Sequence, residues 1–320
     1  MRAKWRDRRD PGRISEESVE DRVPRSCGHH RHRDRDVPRR PTLKSPFAFN
    51  CAHPGLAPYA RWLAAGRCPE LSALNGLARE RGLALPDGRP LSFVATRGRC
   101  HALDYERAVA TRGEIATRAG NLHDAFNALA WLRLPRTKAA LNAVHVQAAD
   151  AATGNARNRA RDAATLLDES GLLLDCHDAG LVELLRARDW RGLFWTRRDE
   201  VVCAMRPLVL GHGLAEKLLS PYRALTAHVL ITGRPPERAA AADGAAQTAR
   251  ADASQAAVVD EAAVDETAMD AEAARHIALP RFAPHLLLPL PVAALPGWDA
   301  ESLGERLFDD LSVFRPPVLR

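Results

Sequence analysis

The sequence predicts an α+β fold, a single and predominantly helical domain with a small sheet or β-hairpin. Three observations lead there. Of the 320 residues, 46% are hydrophobic, an ordinary share for a chain that buries a real core. Several long segments repeat their apolar residues at helical spacing, while only a few short apolar runs are bounded by turn residues in the manner of strands. The six cysteines form no CxxC pair, and no apolar tract is long and unbroken enough to span a bilayer, which sets aside disulfide-stapled and membrane architectures.

The elements follow in chain order. Residues 1–45 carry 14 Lys/Arg against 8 Asp/Glu with almost no apolar periodicity, so this basic tail is expected to be disordered. The domain is expected over 46–317. Between Pro54 and Gly82, Leu71, Leu74, Leu77 and Ala78 stand at helical spacing and predict two short helices, after which Leu91–Ala95 reads as a strand. Asn121–Leu134 is a helix that Pro135 ends, leaving Lys138–Ala149 to form the next. Ala163–Leu167, a turn at Asp168-Glu169-Ser170-Gly171, and Leu172–Cys176 read as a β-hairpin in which glycine supplies a positive φ. Helices are expected at Ala179–Arg188 and across Asp199–Leu219, the second kinked or split at Pro207, with a strand at Ala227–Thr232. Pro235–Arg275 holds 9 acidic residues against 3 basic ones among many alanines, the pattern of an insert or linker within the domain. Leu286–Trp298 and Val313–Pro317 are proline-rich and expected to wrap irregularly over the surface.

Charge distribution narrows the partners. The net charge of +6 divides between the tail and a domain whose arginines are scattered, with the acidic insert opposing both. Nucleic-acid binding needs basic side chains gathered on one face, so the distribution does not support it. Val201–Ala215 contains Arg206 and Pro207, and Leu279–Pro296 is interrupted by five prolines, so neither is a membrane span. The N-terminus lacks an apolar secretory core, and a chain too large to depend on disulfide staples suits a reducing compartment, so the expected location is cytoplasmic. No GxSxG elbow, GxGxxG turn or phosphate loop is present, which argues against a serine hydrolase, a dinucleotide-binding dehydrogenase or a P-loop NTPase.

Two helices carry the groups best suited to chemistry. On the first, His123 and Asn127 are four residues apart and Asp124 lies between them, a polar stripe opposite Leu122, Phe126, Leu129 and Leu132. On the other, His212 and Glu216 have the i, i+4 spacing that lets an imidazole and a carboxylate reach one cation. If the helices face one another, His123, Asp124, His212 and Glu216 form a mixed nitrogen and oxygen donor set for a divalent metal such as zinc, manganese or iron. Asp124, Lys138 and Lys217 are the candidates for catalytic work, the two lysines as anchors for an anionic substrate or as partners of Asp124 and Glu216. Asp168 and Glu169 read as turn carboxylates. The adjacent His123-Asp124 word also matches metal-dependent phosphohydrolases, with His101 and Asp162 or Asp168 as the nominated partners, but a hairpin does not suit their all-helical scaffold. Two functions of different class remain: a metal-assisted hydrolase, or a non-catalytic cytosolic module that binds a partner through aromatic and basic surface.

Six segments bear on family. These are Asn121–Asn142 (NLHDAFNALAWLRLPRTKAALN), Arg161–Leu173, Trp190–Arg198, Gly211–Tyr222, Leu295–Trp298 and Val313–Pro317. In that order they resemble the bacterial family known as domain of unknown function 3025, from about Phe93 to about Pro317. The resemblance implies no activity, substrate or cofactor. Because residues 1–45 lack apolar groups with which to dock, removing them should leave the melting temperature of the chain nearly unchanged. A large drop in a thermal denaturation scan would make the tail part of the fold.

Overall fold

Helix caps and proline positions divide the chain much as its periodicity suggests. The computed structural model describes residues 53–63, 66–96, 98, 101–150, 155–233, 266–298 and 304–316. The basic tail 1–45 and residues 235–265 of the Ala-rich segment lie outside them. A 3₁₀ turn at Pro54–Tyr59 leads into α1 (Ala60–Leu63), and α2 (Leu71–Glu80) buries Leu74 and Ala78, one turn apart. β1 (Ser92–Ala95) is joined through α3 (Ala102–Arg112) to β2 (Glu114–Thr117), which pairs with it in parallel. Gly113 ends α3 in the left-handed conformation at φ 68, and a Cβ there would stand 2.2 Å from the Pro90 carbonyl oxygen. α3 escapes the sequence reading because it buries only Ala108 and Val109 and so has a weak apolar stripe.

Asn121 accepts a hydrogen bond from the Asp124 amide and caps α4 (Leu122–Arg133), and Pro135 opens α5 (Pro135–Asp150). α6 (Asn155–Ser170) runs directly into β3 (Gly171–Cys176), so the hairpin expected at 163–176 does not form. Ala163, Ala164 and Leu167 are fully buried at helical spacing, and that apolar stripe holds 163–167 in the helix. Gly171 is required for a different reason from the one expected. Its φ is not positive, but a Cβ would lie 2.1 Å from the Leu167 carbonyl oxygen.

Asp178 caps α7 (Ala179–Ala187), which is followed by a π-helical turn at Gly192–Thr196 and by α8 (Arg198–Ala204). The long helix expected over 199–219 is interrupted: β4 (Met205–Val209) separates α8 from α9 (His212–Lys217). Next come β5 (Thr226–Ile231), α10 (Glu266–Ile277) and β6 (Leu288–Pro291). The larger sheet has the order β4-β3-β5-β6, with β3 antiparallel to β4 and parallel to β5, and β5 antiparallel to β6. Pro207, Pro289 and Pro291 therefore sit on edge strands, where a missing amide hydrogen breaks no central ladder.

The central strands are buried on both faces. Leu172, Leu174 and Cys176 of β3, with Ala227 and Val229 of β5, join the larger core, while Leu173 and Leu230 join a second cluster with Leu134, Leu141, Leu167 and Ile277. With ten α-helices and two small sheets among the described residues, the architecture is α+β and predominantly helical. No described helix is long and apolar enough to cross a membrane.

Residues 266–274, expected within the insert, form most of α10 and pack on α5. Buried Asp270 accepts hydrogen bonds from the amides of Arg136 at 3.0 Å and Thr137 at 2.7 Å, and the Thr137 hydroxyl donates to the Asp270 carbonyl at 3.1 Å. One carboxylate thus caps a helix more than a hundred residues earlier in the chain. Asp270→Ala would leave the buried Thr137 amide and the partly buried Arg136 amide unsatisfied and should cost about 1–3 kcal/mol in urea unfolding. A loss below about 0.5 kcal/mol would mean that the two amides find other partners.

Candidate functional site

Three glycines bring the site together. Gly211 stands two residues after β4, immediately before α9, and a Cβ on it would approach the Gly171 nitrogen to 2.4 Å and the Glu169 oxygen to 2.7 Å. A Cβ on Gly213 would lie 2.6 Å from Oε2 of Glu169. With Gly171 already closing the α6–β3 junction, α9 can lie against the last turn of α6, so His212 meets Asp168 and Glu169. α4 packs on α9 from the other side, and the His123 and His212 rings meet edge to face with centroids 4.3 Å apart.

One ring nitrogen each from His123 and His212 and one carboxylate oxygen of Glu169 all lie within 4.8 Å of one another. Nδ1 of His123 is 3.1 Å from Oε2 of Glu216. Nε2 of His212 is 3.5 Å from Oε1 of Glu169, whereas its Nδ1 is buried without a hydrogen-bond partner, 3.8 Å from Oδ2 of Asp168. Only 8% of the His212 side chain is exposed. The close His212 contact holds the Glu169 carboxyl below its ordinary range, against the upward push of partial burial.

Beneath this group the ammonium of Lys138, 4% exposed, forms a close ion pair with Oδ1 of Asp168 and donates to Oδ1 of Asn127 at 2.8 Å. The Lys138 ammonium also lies 5.6 Å from the centroid of the Trp131 ring. Asn127 and Trp131 both donate to the Tyr105 hydroxyl, at 2.9 and 3.2 Å. Burial pushes Asp168 upward, but Lys138 and then His212 more than offset it, so the carboxyl stays below its usual range. A cavity of about 240 Å³ opens above, walled by Tyr105, Glu106, Arg118, His123, Asp124, Asn127, Asp168, Glu169 and His212, among others. Burial raises the Glu106 carboxyl from 4.5 to about 7, with Asp168 adding to the rise while Asn142 and Lys138 act against it.

Of the residues expected from sequence, the structure brings His123 and His212 together and sets Glu216 beside His123. Asp124 borders the cavity but its oxygens are taken by Arg118, which donates from its amide at 2.8 Å, Nε at 2.9 Å and Nη2 at 2.7 Å. One residue along a helix turns the side chain by about 100°, so Asp124 faces the loop before α4 while His123 faces α9. Lys138 is buried with Asp168 rather than Asp124, and exposed Lys217 is not among the residues walling the cavity. His101 and Asp162 are also exposed and outside that wall. Sequence reasoning read Asp168 and Glu169 as turn carboxylates, with Asp168 nominated only in the phosphohydrolase reading, and it missed Glu106 and Arg118. The signal for the first two was an acidic pair at the end of an apolar helical stripe, followed by a glycine.

Residues 91–318 match the family described as protein of unknown function (DUF3025). No curated protein and no solved structure matches the chain.

Two predictions follow from the geometry. Lys138→Met would leave Asp168, 20% exposed, without its cation and should cost about 3 kcal/mol or more in urea unfolding, with Lys138→Met/Asp168→Leu recovering part of the loss. A double-variant loss equal to the sum of the losses of Lys138→Met and Asp168→Leu measured singly would show that the pair is not coupled. Because Glu106 holds its proton to about pH 7 in the fold but to about 4.5 when unfolded, the folded state binds more protons in that window. Its contribution to stability therefore falls as pH rises from 4.5 to 7. Glu106→Gln should flatten that slope, and an unchanged slope would contradict the shift.

Proposed function

We propose that this chain, which belongs to the DUF3025 family and inherits no activity from it, is a metal-dependent hydrolase whose cation is held by His123, Glu169 and His212. The single observation that carries this reading is the meeting of two imidazole nitrogens and a carboxylate oxygen within 4.8 Å. Ligands on one tetrahedral zinc ion stand about 3.3 Å apart when the bonds are about 2.0–2.1 Å, so the set would close by up to about 1.5 Å on binding. Two histidines and one carboxylate are a donor set with which catalytic zinc sites leave a fourth position for water.

The surroundings support the same reading. In metal sites the ligating histidine commonly gives its other ring N–H to a carboxylate, which fixes the tautomer and orients the ring. Glu216 stands in that relation to Nδ1 of His123 at 3.1 Å, while Oδ2 of Asp168 lies 3.8 Å from Nδ1 of His212, just beyond hydrogen-bond distance. The unsatisfied Nδ1 of a nearly buried histidine is a cost that closure on a cation would relieve, by drawing it onto Asp168. A cation here would lower the pKa of bound water toward about 7. The resulting hydroxide would form a bond to a carbonyl carbon or phosphorus in the cavity as the bond to the leaving group breaks, and the proton lost by water would pass to that group. Asp124 belongs to this scheme as the partner that holds Arg118 at the cavity wall, and Lys138 as the group that keeps Asp168 ionised.

The alternative, a cytosolic binding module with an aromatic surface, has less to draw on. Trp131, Trp190 and Trp298 are buried; Trp195, at 41% exposure, and Tyr222 are open to solvent but are not among the residues walling the cavity. The test is a zinc titration of the chelator-stripped full-length chain. Wild type should bind one ion and gain about 2.7 kcal/mol of stability at a hundredfold excess over Kd, while His123→Ala and His212→Ala should lose both effects. Folded wild-type protein that binds neither zinc, manganese nor ferrous iron would overturn the proposal.

A further inference from the structure

Four carboxylates wall the cavity among the described residues: Glu106, Asp124, Asp168 and Glu169. Three are committed to positive or imidazole partners. Asp124 is held by Arg118, Asp168 by Lys138, and Glu169 lies against His212. Glu106 differs, because the hydrogen-bond partner it has among the described residues is a neutral amide. Asn142, itself buried, donates through Nδ2 to the Glu106 carbonyl at 2.9 Å and to Oε2 at 2.6 Å.

A carboxyl group held by an arginine or lysine stays ionised and is a poor proton carrier at neutral pH. One held by an amide, partly removed from water and facing a cavity, can hold a proton in one step and release it in the next. Asn142 also fixes where the carboxyl sits, since its two bonds tie the side chain and the main chain of the same residue on α3 to one point on α5. The groups that face Glu106 electrostatically are Lys138 on α5 and Asp168 on α6, with the Tyr105 hydroxyl beside it on α3. Of this pair, Asp168 raises the Glu106 carboxyl and Lys138 lowers it.

We propose that Glu106 is the proton-transfer residue of this cavity, acting on the molecule polarised by the cation at His123, Glu169 and His212. The inference rests on the hydrolase reading for its chemistry. Glu106 as carboxylate takes one proton from the cation-bound water, whose oxygen forms the new bond to the substrate carbon or phosphorus. The bond to the leaving atom then breaks with its electron pair, and Glu106 returns the same proton to that atom. The net change is addition of one water across the broken bond, with no oxidant or reductant.

The experiment treats the zinc-loaded full-length chain with a water-soluble carbodiimide and glycine ethyl ester between pH 6 and 9, and maps the labelled carboxyls by peptide mass spectrometry. Carbodiimide coupling requires a reachable carboxyl and an available proton. Glu106 should be labelled at pH 6–7 and progressively less toward pH 9, the range over which a carboxyl of pKa about 7 gives up its proton. Zinc affinity of Glu106→Gln should stay within about tenfold of wild type, the lower end of the loss expected for a group that supports a ligand. Absence of label at Glu106 while surface acids react would overturn the proposal, as would a larger loss of zinc affinity, which would make Glu106 part of the metal site. Label at Glu106 with its pH dependence in a protein that binds no zinc would leave Glu106 as an acid–base group and sink the metal reading alone.

Discussion

The ion pair between Lys138 and Asp168 is the interaction around which the described fold is arranged. An ammonium that is 4% exposed cannot remain charged without partners, because transfer from water costs several kcal/mol even after relaxation. Here the partners come from different elements: Asn127 and the Trp131 ring from α4, Asp168 from α6, and Lys138 itself from α5. The requirement to satisfy one charge therefore sets the mutual position of three helices. Asp168, kept ionised by that charge, in turn faces His212 on α9. Tyr105 extends the same polar network to α3, through Asn127 and Trp131.

Close backbone approach is the second constraint. Gly171, Gly211 and Gly213 leave no space for a Cβ where α6 turns into β3 and where α9 begins. A Cβ would meet the Leu167 carbonyl at Gly171, the Gly171 and Glu169 backbone at Gly211, and the Glu169 carboxylate at Gly213. The fold thus places a histidine pair and two carboxylates from three helices at one end of a sheet whose central strands are buried on both faces. Asp270 closes the arrangement from the far side by capping α5, the helix that carries Lys138.

Much of this was legible in the sequence, and what was not has physical reasons. The polar stripe of α4 and the i, i+4 pair of α9 stood out because helical periodicity makes a polar residue on an otherwise apolar helix conspicuous. Asp168 and Glu169 were hidden by local turn chemistry: an acidic pair before Ser-Gly has the composition of a tight turn, and only the buried stripe Ala163, Ala164 and Leu167 holds it in a helix. Pro207 was read as a helix kink because the sequence does not disclose that β4 is an edge strand. The capture of Asp124 by Arg118 depends on the loop before α4, where no periodicity speaks. Glu106 could not be singled out, since its environment comes from Asn142, thirty-six residues away on another helix.

The central claim is that His123, Glu169 and His212 converge to hold one cation. Crystals of the zinc-loaded chain, measured at wavelengths on either side of the zinc absorption edge, test it most directly. The account predicts one anomalous peak about 2.0–2.2 Å from a ring nitrogen of each histidine and from a Glu169 carboxylate oxygen. A peak at other residues, or no peak with the two imidazoles still packed edge to face, would contradict it.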